Sequence, residues 1–212
     1  MIRLCERIAG SKTIGDWNQT KAQLVPGAYP ELWHQAFEDF FRGRIRERYL
    51  KPIGVLQKMG RFQGEGFSIV AIQCTLIEFL ESTVRGVNLR DLGKGEKPGK
   101  YEYSERGAKA LFLDFLIKRS PFSQEFTPAL AGDFYKGVRC GLLHEARTKN
   151  DWLIRARSKA GCIVDVDGEK KLVFRDNFQE GLGKFVERYK ADLLQNVEYQ
   201  EAFIRKFNGL CE

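Results

Sequence analysis

Apolar residues recur at helical spacing along most of this chain. From Glu31, residues Trp33, Phe37, Phe40, Phe41 and Ile45 follow the i, i+4, i+7, i+8 rule of an amphipathic helix. Pro52 and Gly54 are expected to kink or end that helix, with a short apolar piece continuing to Met59. A second helix, about Phe67 to Arg85, is apolar on most sides and should be buried on most sides. Its Glu81 and Arg85 form an i, i+4 pair on the outer edge, with Glu81 solvated. The stretch "GVNLRDLGKGEKPGKYEYSERG", residues 86–107, is rich in Gly and Lys and predicts a long loop. A third helix runs from Glu105 to Lys118, with Leu111, Phe112, Phe115 and Leu116 as its apolar face, and Pro121 stops it.

After Asn150 the period changes from 3.6 to 2. "WLIRARS", "CIVDVDG" and "KKLVFRD" predict short strands, and Asp167-Gly168 suits a tight hairpin turn. Asp176 is expected to cap a last helix, with Gln179 as its reciprocal partner. That helix carries Phe178, Leu182, Phe185, Val186, Tyr189 and Leu193 on one face, continues to Phe207, and ends near Gly209. Residues 1–30 lack a clean period and predict an irregular or partly helical lead-in. The expected fold is therefore mainly α. Residues 31–212 form one helical-bundle domain, with a small β meander at about 152–175 inserted before the last helix.

The fourth helix, about Ala129 to Arg147, has a divided surface. Leu130, Phe134, Val138 and Leu142 make one stripe, the core face, with Tyr135 beside it. Gly137 and Gly141 flank the stripe at a cost of about 1 kcal/mol each against alanine. Close approach of a neighbouring backbone, or a functional bend, would account for them. Arg139 and His144 both fall off the core stripe, and Leu143 sits between them on the outward side. An outward Leu framed by Arg and His fits a face that meets a partner, such as a second copy of the chain. The plainer reading is also open, since a helix C-terminus favours cations such as His144 and Arg147.

Composition narrows the choices. The chain has 212 residues, 43% hydrophobic and 30% charged, a soluble globular balance. A net charge of +7 and a pI near 9.2 allow an anionic partner such as nucleic acid. Cys5, Cys74, Cys140, Cys162 and Cys211 are odd in number and widely spaced with no CxxC, which argues against a metal knuckle or a disulfide framework. With no signal peptide, a reducing cytoplasm is expected. The apolar run Phe67–Val84 is broken by Gln73, Glu78 and Glu81, so it predicts a core helix and no membrane span. No His pair or carboxylate triplet has ligand spacing, and neither metal nor cofactor is expected.

The segment "VRCGLLHEA", late in a long helix after a buried helix and a loop, resembles the HEPN superfamily. The signature there is an Arg, four to six residues, then His, here Arg139 to His144. The resemblance implies a helical bundle, often dimeric, and in many members a metal-independent ribonuclease of toxin, antiphage or RNA-processing systems. RNA, a second copy and an antitoxin or defence protein would then be partners. One departure is Cys140, where such nucleases commonly carry a polar residue, often Asn.

The chemistry suits the residues. Metal-free RNA cleavage uses the 2′-hydroxyl as nucleophile and needs a base, an acid and positive charge near the phosphate. Histidine titrates near neutral pH, and arginine presents a charged fork to phosphate oxygens. A two-fold dimer would supply acid and base from two copies of His144. Glu78, Tyr135 and Asp133 are supporting candidates, the alternative for Glu78 being a buried, hydrogen-bonded carboxylate. Arg42, Arg44 and Arg46 in "FRGRIRERYLK", and Lys94, Lys97 and Lys100 in "GKGEKPGKYEY", are candidate RNA contacts. Their bland counterparts are a solvated helix and a polar linker. A non-catalytic HEPN-like module binding nucleotide, RNA or protein is the alternative function, and Cys140 favours it.

Overall fold

The first α-helix of the chain opens on a reciprocal cap. Thr13 N–H donates to Asp16 Oδ2 at 2.8 Å, and Asp16 N–H donates to Thr13 Oγ1 at 3.2 Å. This starts α1 (Ile14–Lys21) directly after a small antiparallel pair, β1 (Arg7–Ala9) and β2 (Lys12–Thr13). The lead-in is thus partly helical, with a short β pair ahead of the helix and turns at 22–29. The computed structural model describes residues 2–59, 64–93 and 95–212. The chain is mainly helical, with three small sheets among the described residues. It divides into two units. The first comprises Met1–Pro52, Ser82–Gly107 and Glu187–Glu212, and the second Ile53–Glu81 and Ala108–Val186.

A continuous helical run follows α1. It passes through α2 (Pro30–Ala36), π-helical turns at Phe37–Arg42, α3 (Gly43–Ile45), further π turns at Arg46–Leu50 and α4 (Lys51–Met59). Pro52 does not end it. Proline has no N–H for the carbonyl four residues back, and the wider i→i+5 turns just before it absorb that loss. In the first unit, Trp17 is fully buried against Phe40, Phe203 and Phe207, and its Nε1–H donates to Asn208 Oδ1 at 3.1 Å. Asn208 lies on α10 (Val197–Gly209), which Asn196 caps by accepting from the Glu198 and Tyr199 N–H groups. The 86–107 loop is closed by a two-residue parallel pair, β3 (Asn88–Leu89) with β4 (Glu102–Tyr103).

The second unit contains most of α5 (Glu65–Arg85) and α6 (Glu105–Lys118). By length and composition α5 could cross a membrane, but Ile69, Val70, Leu76, Ile77 and Leu80 are fully buried in protein. Of its interrupting polar groups, Gln73 and Glu81 are buried as well and Glu78 is half-buried. Gln73 donates to the Arg175 carbonyl at 2.8 Å. Glu81 is not solvated as expected: it is wholly buried, and Arg119 grips both its oxygens at 2.8 and 3.0 Å. A buried carboxylate requires such a partner.

The fourth helix is a composite of α7 (Pro128–Phe134), π turns at Tyr135–Cys140 and α8 (Gly141–Glu145). The strands after it are β5 (Trp152–Arg155), β6 (Val164–Asp167) and β7 (Lys170–Phe174). Their order is β5-β7-β6, with β6 and β7 antiparallel across the Asp167-Gly168 turn and β5 parallel to β7. The insertion is therefore a mixed sheet and not a meander, because β7 returns between the other two. α9 (Arg175–Gln195) follows at once. Asp176 and Gln179 do not cap each other there: Gln57 Nε2 donates to Asp176 at 2.9 Å and Gln73 Nε2 to Gln179 at 3.2 Å.

Candidate functional site

The α7–α8 run starts cleanly. Thr127 Oγ1 accepts from Leu130 N–H at 3.2 Å, and Pro128 fills the first turn, where no N–H is needed. Phe134 and Val138 are fully buried and Leu142 nearly so, as the spacing predicts. The run ends at Ala146, a non-glycine residue held at φ 53°. The chain then folds back along its own helix. Lys149 N–H donates to the Gly137 carbonyl at 2.8 Å. A Cβ on Gly137 would lie 2.6 Å from the Trp152 ring, and one on Gly141 would lie 2.5 Å from the Arg147 carbonyl oxygen. Both glycines are thus explained by close backbone approach, and the approaching backbone is the chain's own return turn.

Asp133 braces this corner. Its carboxylate accepts from Asn150 Nδ2 at 2.8 Å and Trp152 Nε1 at 2.9 Å, and pairs with Lys171 at 2.8 Å. Burial by itself would raise its pKa, but the hydrogen bonds from Lys171, Asn150 and Trp152 outweigh burial and hold it below the usual value. Three donors occupy it, so Asp133 acts as a strut between helix and sheet.

Around Arg139 the arrangement differs. Arg139 is half-buried, with its guanidinium carbon 5.3 Å from the centre of the Tyr135 ring. It forms no ion pair among the described residues. Burial pushes the Tyr135 hydroxyl up, with Arg139 pulling the other way and Cys140 and Glu78 adding to the rise. Burial likewise lifts the Cys74 thiol to about 12, against the nearby charge of Arg139. The fold thus gathers Arg139, Tyr135, Cys140, Glu78 and Cys74. Glu78 is half-buried and itself partnered. His144 is exposed near the end of α8, and neighbouring Leu143 is 47% exposed.

The other basic candidates belong to the first unit, and most are occupied. Arg42 pairs with Glu38 at 2.8 Å and Glu187 at 2.7 Å, and Arg46 pairs with Glu47 at 3.0 Å. Arg44 donates to the Ile8 carbonyl at 2.5 Å; burial, together with nearby Arg48, brings its pKa down to about 10. These three do not form a phosphate track. Lys97 and Lys100 are exposed, the latter 5.0 Å from the Tyr101 ring, and Lys94 lies outside the described residues.

Sequence reasoning missed Lys109, whose ammonium lies 5.7 Å from the Tyr135 ring centre. The available signal was its i, i+3 spacing from Phe112, which packs edge-on against Tyr135 at 5.3 Å. Among the described residues, no group of three or more His, Cys, Asp or Glu side chains could hold a metal ion. Comparison with known protein families, curated proteins and solved structures finds no match to this chain.

Proposed function

We propose that this chain is a HEPN-like, metal-independent endoribonuclease. It acts as a homodimer in a reducing cytoplasm, in a toxin or antiphage defence setting with a partner antitoxin or defence protein. One observation carries the reading: a single helical run presents an arginine with no carboxylate partner among the described residues, followed by an exposed histidine. The π turns around Arg139 add support, since such turns recur at functional sites.

In this reading the substrate's 2′-hydroxyl attacks the adjacent phosphorus and the bond to the 5′-oxygen breaks. His144 of one copy takes the 2′ proton, and His144 of the second protonates the leaving 5′-oxygen. Arg139 balances the charge gathering on the phosphate oxygens. Leu143 supplies apolar contact between the copies.

The test is incubation of purified protein with RNA in the presence of a chelator, alongside molar-mass measurement by light scattering. Cleavage leaving 2′,3′-cyclic phosphate ends and a dimer mass are expected. His144→Ala should slow cleavage by about 10²- to 10⁴-fold with the melting temperature unchanged. A wild-type protein that leaves RNA intact, or a His144→Ala protein that cleaves as fast as wild type, would refute the nuclease. RNA binding without cleavage would establish the binding module instead, consistent with Cys140 following Arg139.

A further inference from the structure

Tyr135 is held as a platform. Phe112 meets it edge-on at 69°, and Phe112 is itself buried and stacked on Phe134 at 6.2 Å. Two cations from different elements converge on the ring: Lys109 of α6 at 5.7 Å and Arg139 of the π turns at 5.3 Å. Neither makes an ion pair among the described residues. Glu78 is the carboxylate whose charge reaches Tyr135, and it has a partner of its own. Like charges gathered on one ring repel, and an anion placed between them removes that cost.

We infer that Tyr135, Lys109 and Arg139 form a strand-positioning subsite for single-stranded RNA. The two cations take a phosphodiester and the exposed part of the ring takes an adjacent base or ribose. The choice of RNA rests on the nuclease reading, while the subsite rests on the geometry. Base–aromatic contact needs no particular base, so the subsite recognises a strand and not a sequence. Tyr101 provides an internal contrast in the first unit. It too lies near two cations, Arg205 at 4.4 Å and Lys100 at 5.0 Å, but Arg205 is paired with Glu201 at 3.7 Å. Lys118 is the charge-matched control for Lys109: it is exposed on the same helix and paired with Asp114 at 2.8 Å.

The experiment measures fluorescence anisotropy of a labelled, mixed-sequence single-stranded RNA on full-length His144→Ala protein, across a potassium chloride series. Lys109 is exposed, so Lys109→Ala should keep the parent melting temperature. It should lower affinity about fivefold or more at low salt and make the log–log salt slope shallower by about 0.7, one phosphate contact on a single strand. Tyr135→Leu should weaken binding with the slope preserved, and Lys118→Ala should change affinity less than about twofold. The subsite is overturned if Lys109→Ala binds like its parent, if Lys118→Ala matches its loss, or if the parent binds no RNA. Wild-type cleavage is read separately. Cleavage without Lys109-dependent binding sinks the subsite alone, and Lys109-dependent binding without cleavage sinks the nuclease alone.

Discussion

Two helical runs in this chain share a construction and differ in what they leave available. The Pro30–Met59 run and the Pro128–Glu145 run both interrupt α-helix with π turns, and both carry arginines within or beside those turns. In the first run the arginines are occupied: Arg42 by Glu38 and Glu187, Arg44 by a backbone carbonyl, Arg46 by Glu47. In the second, Arg139 faces an aromatic ring, which cannot neutralise it. A net charge of +7 is therefore a poor guide to where an anion will sit. The arginine-rich run brings four arginines to the count, whereas Arg139 brings a charge with no carboxylate partner among the described residues.

The sharpest way to break this comparison is to remove one arginine from each run. Arg139→Ala should lower RNA cleavage by about 10²-fold or more, while Arg42→Ala should leave it within about twofold. Equal losses in a gel-based rate assay would show that the difference in partners has no functional meaning. Glycines give the next test. Gly137→Ala should cost about 1–3 kcal/mol, because its Cβ would meet the buried Trp152 ring, and melting should fall by about 2–4 °C per kcal/mol. Gly54→Ala, whose Cβ meets nothing within 4 Å, should stabilise by about 0.5–1 kcal/mol. Chemical denaturation of both variants measures the contrast, and a loss at Gly54 would contradict it.

The smallest effect is in acid. Asp133 has a lowered pKa in the fold, so the folded state binds fewer protons than the unfolded chain. Its contribution is present above the ordinary carboxylate range and is lost as pH falls through the lowered value. Asp133→Asn should lower stability at neutral pH and flatten the acid limb of a stability–pH curve. An acid limb unchanged from wild type would remove Asp133 as a brace.

Much of the fold was legible because local spacing reports burial. Phe134, Val138 and Leu142 lie inward, and Leu143 and His144 outward, as a helical repeat predicts. The π turns were not legible, since i→i+5 bonding leaves no residue signature comparable to a cap. Glu81 was misread because its partner, Arg119, lies 38 residues away. The parallel β5–β7 pairing escaped for the same reason: alternation identifies strands but not their order. In the candidate site, Arg139 and His144 could be found by spacing, and Tyr135 by its place beside the stripe. Lys109 was harder to find: its i, i+3 spacing from Phe112 is local, but the packing of Phe112 on Tyr135 joins residues 23 apart.

The return turn over Gly137 also bears on how the molecule is made. The bonds that fix this corner, from Asn150 and Trp152 to Asp133, close stretches of 17 and 19 residues. Short closures lose little chain entropy and can form early. Trp17, by contrast, waits for Asn208, 191 residues away. On a ribosome adding residues in order, the corner carrying Arg139 and His144 can close while the first unit is still missing its last helix.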